Sequence, residues 1–228
     1  MEKQYPKQWL ANMTTGETVA AELRLKIING ELTSDDALTE NQVAKQFNVS
    51  RSPVRDAFKL LKQDQLIRLE RMGADVLTFG EAERREVYDL RIMMESFAFA
   101  RIKAEERAAL AKTMRKHLEM MKVAVQFEDA ESFTEHDILF HEVLIHATKH
   151  RYLLSSWNNI KPILLCLILL SMRERMQTDP DDFERIHANH EVYAQAVEHN
   201  DTTLLRDAFH RNFDDVGDYI SALFLEKK

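Results

Sequence analysis

Residues 39–76 read TENQVAKQFNVSRSPVRDAFKLLKQDQLIRLERMGADV, and this stretch decides the fold of the N-terminal part of the chain. Thr39 is suited to cap a first helix, with Gln42 three residues on able to reach back, and Val43, Ala44 and Phe47 form its apolar face. Asn48-Val49 is the turn. Ser50 then caps a second helix, Pro53 is tolerated in its first turn, and Val54, Ala57, Phe58 and Leu61 recur at helical spacing to pack on the first helix. Arg51, Ser52, Arg55 and Lys59 are left on the outer face. Residues 67–70 (IRLE) and 74–77 (ADVL) alternate as the strands of a wing around Arg71-Met72-Gly73, where glycine permits a tight backbone and close approach to a groove. Two short helices and a wing in this order lay the second helix in the major groove of DNA by its N-terminal residues, where arginines and hydroxyls meet guanine edges and phosphates.

Upstream, the periodicity predicts a helix over about 18–29, with Val19, Leu23, Ile27 and Ile28 inward and Gly30 just past its end. This completes a three-helix winged module, and residues 78–80 read as a linker. From residue 81 onward every segment has a 3.6-residue period. Helices are expected at about 82–103, 106–126, 131–147, 152–174, 181–198 and 202–224, a C-terminal antiparallel bundle of six or seven helices. Glu128-Asp129-Ala130 and Asn200-Asp201-Thr202 read as similar helix starts. The chain is therefore expected to be mainly α, with a DNA-binding winged helix-turn-helix over 10–79 and a helical effector-binding and dimerisation domain over 80–228.

A content of 45% hydrophobic residues, with five glycines and four prolines in 228 residues, excludes disorder and favours compact helical packing. The net charge of -7 looks wrong for a DNA binder until it is divided along the chain. Residues 1–75 hold eleven basic and eleven acidic side chains, so the remainder carries the whole excess, while 41–71 holds seven basic to three acidic. A polyanion is attracted to that patch rather than to the whole molecule. The single cysteine, Cys166, makes no internal disulfide and lies in an apolar run, as a small buried hydrophobe would. The N-terminal residues lack the apolar core of a signal peptide, and the longest apolar run, 163–170, is less than half of a ~20-residue membrane span. A cytoplasmic protein with no membrane partner is expected.

The bundle carries metal-ligand side chains on apolar faces. Asp137 and His141, four apart and flanked by Ile138, Leu144 and Ile145, point to one side of their helix, and His190 lies inward with Ile186, Ala194 and Val197. A lone inward histidine is most often a hydrogen-bonded core residue, but this grouping points to a divalent metal. On the last helix Leu205, Ala208, Phe209, Phe213, Val216 and Ile220 define a buried stripe that includes Asn212, whereas His210 falls among Arg206, Asp207 and Asp214. Asn212 is thus the expected fourth inward group. An amide oxygen binds transition metals more weakly than imidazole, so the metal would be held loosely, or a polar ligand would bind directly. Arg91, on a face with Val87, Met94 and Glu95, can grip a carboxylate effector bidentately or pair internally with Glu95. Arg173 and Arg175 are further candidates that helix-end solvation explains equally well. His187 is a candidate second shell; His136 points elsewhere, and His117, His146, His150 and His199 are expected at the surface or helix ends.

The segment SRSPVRDAFKLL, with TENQVAKQF before it and the wing after it, resembles the GntR family of bacterial transcription regulators. VYDLRIMMES, Asp137 with Phe140-His141, and Asn189-His190-Glu191 before the Asn200-Asp201 helix start resemble the FadR-type, or FCD, effector domain. The resemblance implies DNA contacts at Asn41, Ser50, Arg51, Ser52, Arg55 and the wing-tip Gly73, with Asn41 where many members have arginine. It implies metal ligation by Asp137, His141 and His190, with Asn212 at the usual third histidine, and zinc, nickel or manganese as the metal. It also implies a homodimer on near-palindromic double-stranded operators. The leading expectation is a repressor released by a sugar acid such as gluconate, with Arg91 and Asn212 on the effector. The alternatives are a regulator answering a different organic acid, an enzyme using the Asp-His-His set as a catalytic metal site on a small carboxylate, and an architectural DNA binder with a purely structural bundle.

Overall fold

The computed structural model describes residues 4–71 and 73–212, the last of these by its backbone alone. They divide into two compact units, residues up to 84 together with 162–170, and residues 85–161 together with those from 171 on.

In the first unit the order is α1 (Lys7–Leu10), α2 (Thr15–Ile28), β1 (Ala37–Thr39), α3 (Glu40–Phe47), α4 (Arg51–Gln63), β2 (Ile67–Glu70) and β3 (Gly73–Val76). Helix α2 starts earlier than periodicity alone suggests, because Thr14 and Glu17 form a capping box: Thr14 Oγ1 accepts from the Glu17 amide and Glu17 takes the Thr14 amide at 2.7 Å. The same device operates at α3, where Thr39 Oγ1 accepts from the Gln42 amide and Gln42 takes the Thr39 amide. Asn48 closes α3 in the left-handed region at φ 54°, which its short polar side chain tolerates and the turn requires. Ser50 stands at the N-cap of α4 but makes no side-chain cap bond, so the expectation that its hydroxyl caps this helix is corrected.

Val43, Val54, Ala57, Phe58, Leu61 and Leu66 close the core beneath α4, and a buried Arg24–Asp64 ion pair at 2.6 Å ties α2 to the end of that helix. The wing has a strand that the sequence did not announce. Residues 37–39 pair antiparallel with β3, giving a sheet of order β1-β3-β2 in which Gly73 faces both Thr39 and Glu70. A Cβ at Gly73 would collide with the Leu38 carbonyl oxygen, so glycine is also what lets β3 approach β1 this closely.

The second unit is built on α5 (Glu81–Phe99), α6 (Ala104–Gln126), α7 (Ala130–Ala147), α8 (Arg151–Thr178), α9 (Asp182–His199) and α10 (Thr202–Asn212), with α5 beginning and α8 passing through the first. Two of the helix breaks repeat one device: Glu128 and Asn200 take φ 53° and 55°, and the aspartates that follow, Asp129 and Asp201, accept from amides of the next helix. Arg107, itself buried, donates to the carbonyls of Phe99, Ile102 and Val197 and so satisfies orphan helix-end oxygens. Helix α8 is long and apolar enough to cross a bilayer by length and composition, yet Trp157, Leu164, Cys166 and Leu169 are fully buried, as in a core helix. On α10, Leu205, Ala208 and Phe209 are buried as the stripe requires; Phe213, Val216, Ile220 and the side chain of Asn212 lie outside the described residues.

Candidate functional site

Helices α5, α7 and α9 bring one inward polar set together. Asp137, His141 and His190 are all buried, and one ligand atom from each lies within 4.8 Å of the others. The i, i+4 spacing on α7 stacks Asp137 over His141, and α9 supplies His190 opposite, with its Nε2 3.1 Å from Asp137 Oδ1. The His190 Nδ1 stands 2.8 Å from the Ile186 carbonyl oxygen. A carbonyl only accepts, so Nδ1 carries a proton; Nε2 then offers its lone pair to a metal when the ring is neutral and donates to Asp137 when the ring is doubly protonated. His141 Nδ1 faces Glu95 Oε2 at 2.8 Å, the same carboxylate that accepts from the Tyr193 hydroxyl at 2.7 Å and, through Oε1, from Arg91 Nε at 2.8 Å. Arg91 reaches on with Nη2, 3.5 Å from Asp137 Oδ2. Of the two readings of Arg91, the internal pair with Glu95 is the one the structure contains, and the same side chain also reaches the Asp137 carboxylate.

The electrostatics follow from burial opposed by pairing. Burial pushes the Glu95 carboxyl up, but His141 and Arg91 outweigh it and hold the group at about 2. Asp137 is likewise driven well below the usual carboxylate range, with burial overcome by the hydrogen bond to His190 and the charge of Arg91. His141 is pushed down, first by burial and then by Arg91, which favours the neutral ring a metal ligand must be. Phe140 packs edge-on against His141, His190 and Tyr193, with ring centroids 5.0, 4.9 and 5.8 Å away, and fixes the imidazole planes.

Sequence reasoning missed Tyr193 and gave Glu95 only as a partner of Arg91. Tyr193 lies three residues past His190 on the inward face of α9, a spacing that could have found it. No hydrogen bond joins His187 to His190 among the described residues: its Nε2 is shut from solvent with no partner there, and the ring lines a cavity of about 360 Å³ with Leu118, Phe133 and Phe183. Nor is His117 exposed; it is half-buried with Nδ1 3.2 Å from His136 Nδ1. His146, His150 and His199 are at the surface, His150 capping α8 through the Leu153 amide. Arg173 is buried against Glu131 rather than solvated at a helix end, and Arg175 pairs with Asp182. His210 is half-buried.

In the first unit, Asn41, Ser50, Arg51, Ser52 and Arg55 are exposed around the N-terminus of α4. Arg55 is tethered by Glu40 at 2.8 Å, yet its side chain is 60% accessible. Arg68, on the wing, bonds Glu70 and Asp75.

The chain matches the model for "Bacterial regulatory proteins, gntR family" over residues 15–75 and that for the FCD domain over residues 86–215. It is 46% identical over 224 residues to the gluconate operon transcriptional repressor of Bacillus subtilis, covering 98% of this chain and 92% of that one. The Bacillus licheniformis protein of the same name is 45% identical over 98% and 92%. Among solved structures, Lar of Listeria monocytogenes superposes with a TM-score of 0.62 at 18% identity, over 94% of this chain and 99% of that one. A GntR regulator from Rhodococcus superposes at 0.57 with 20% identity, over 92% and 98%.

Proposed function

From the premise that the chain belongs to the GntR family of bacterial regulators, of the type with an FCD domain behind the winged module, we propose that it is a repressor released from its operator by gluconate or a close sugar acid. Residues 10–79 read the DNA and 80–228 bind the effector. The observation that carries the reading is the gathering of a buried cation, Arg91, with two carboxylates and two imidazoles inside one bundle. Burying such groups is costly unless they are paired, as they are here, and an effector carboxylate is a ligand that a guanidinium grips bidentately.

The donor set fits a divalent metal of the borderline kind: two imidazoles with partners that leave a nitrogen lone pair free, and one carboxylate held ionised. Asp137, His141 and His190 would hold zinc, nickel or manganese, with Asn212 as a weak fourth donor. When bound, it supplies a positive charge to which the acid and hydroxyl oxygens of a sugar acid bind. Arg91 positions the effector carboxylate, and Glu95 with Tyr193 holds His141 in place. An effector that prefers one arrangement of two dimer-related winged modules over another shifts the population away from the arrangement that fits the operator. In the homodimer Arg51 and Arg55 of each copy reach one half-site, with Asn41, Ser50, Ser52 and the Gly73 wing on the flanking backbone.

The test is operator binding by fluorescence anisotropy, with gluconate and a panel of other organic acids titrated in, with and without Mn2+. Gluconate is expected to weaken binding at least tenfold. Weakening by another acid while gluconate is inert would replace the effector, and equal operator binding by wild type and Arg51→Ala/Arg55→Ala would remove the DNA assignment.

A further inference from the structure

We propose that His117 and His136 form a second divalent-metal site, sharing no ligand with the core set, that clamps α6 to α7. His117 lies midway along α6 and His136 on α7. His136 immediately precedes Asp137 but is turned about 100° around the helix from it. The two Nδ1 atoms face each other across 3.2 Å, with ring centroids 5.5 Å apart and planes inclined by 36°. A hydrogen bond here needs one Nδ1 to carry the ring's proton and the other to be bare, whereas a metal takes both lone pairs with each proton on Nε2. Zn–N bonds are about 2.0–2.1 Å, and two of them spanning that separation subtend roughly 100°, between the tetrahedral and cis-octahedral angles.

Both rings are half-buried, so water can complete the coordination shell. Two imidazoles and no carboxylate select zinc, nickel or copper and reject magnesium and calcium. The occupied site would brace the helix that carries Asp137 and His141 from a different face of it.

The experiment is equilibrium dialysis of the metal-stripped full chain against micromolar zinc, with wild type beside His117→Gln and His136→Gln. The readout is the difference between chains, so it holds whether or not the core set is filled. Each single variant is expected to lose the same one equivalent, or to bind it at least tenfold more weakly, and the double variant to lose no more. Equal stoichiometry and affinity in wild type and both variants overturns the site. A second measurement needs no variant: nitrogen NMR of the wild-type rings should show both Nδ1 resonances moving together with zinc and neither with magnesium. Movement at Nε2 alone overturns it.

Discussion

The winged module and the bundle use the same side chains in opposite ways. Around the start of α4 the arginines stand in water, and the ion pair Arg55–Glu40 is open enough that exchange with solvent or a phosphate costs little. In the bundle, Arg91, Glu95, Asp137, His141 and His190 are all buried, and every pairing there replaces hydration that has been given up. Solvation, not residue type, separates a surface that exchanges partners from a site fixed in advance. Substitutions in the first region should therefore move binding and spare stability, and those in the second should move both.

The sharpest break of that contrast is Arg91→Ala. Removing the cation leaves Glu95 and Asp137 buried with less compensation, which for a broken buried pair costs about 3–5 kcal/mol. Metal-free variant protein should lose that much in urea unfolding, and saturating divalent metal should recover part of it, because a bound cation replaces the missing charge beside Asp137. A loss of under about 1 kcal/mol, within the range of exposed pairs, would erase the distinction between the two regions.

The effect of acid is smaller and belongs to the bundle. Because the folded Glu95 carboxyl titrates at about 2, below its ordinary 4.5, the ionised group favours the fold. Its contribution is complete above 4.5 and is lost as pH falls from there toward 2. Glu95→Gln should flatten the decline in thermal midpoint across that window. A decline of equal steepness in wild type and variant would assign acid sensitivity to other carboxylates.

How far each region could be read beforehand follows from the same contrast. The capping box at Thr39, the Asn48 turn and the apolar stripe of α4 are local signals, and each element there forms as its own residues dictate. Helices α6, α7 and α9 were likewise visible in their period, as was the inward set of Asp137, His141 and His190. What was hidden depends on partners far along the chain. Strand β1 has three residues and exists only by pairing with β3, so its own alternation is too short to announce it. Tyr193 matters because Glu95, 98 positions away, accepts its hydroxyl, and a single stripe position does not reveal that. The His117–His136 contact is hidden for the same reason, since periodicity shows which way a side chain points but not what it meets. The start of helix α2 lies three residues before the periodicity places it despite a readable signal, as Thr14-Thr15-Gly16-Glu17 carries the capping spacing.

On the DNA side the expected effect is on affinity alone. Arg51→Ala should cost about 1–3 kcal/mol of operator binding, roughly ten- to hundredfold, if the guanidinium reads a guanine edge, and the loss should shrink on non-operator DNA. Its unfolding midpoint should match wild type, because the side chain is exposed. Equal weakening on operator and random sequence, with a shallower salt dependence, would make Arg51 a phosphate contact instead.

The smallest effect tests whether the winged module is as locally determined as its sequence makes it look. Thr39 ends β1 and caps α3, so Thr39→Ala removes the hydroxyl that accepts from the Gln42 amide and donates to Gln42 Oε1 at 2.7 Å. Loss of such a cap costs about 1 kcal/mol. Gln42→Ala removes the reciprocal half of the box, so the two changes together should cost less than the sum of each alone. Strict additivity in a double-mutant cycle, read from denaturant midpoints, would mean that the two residues do not act as one device. The start of α3 would then be held mainly by the pairing of Thr39 with Gly73 across the sheet.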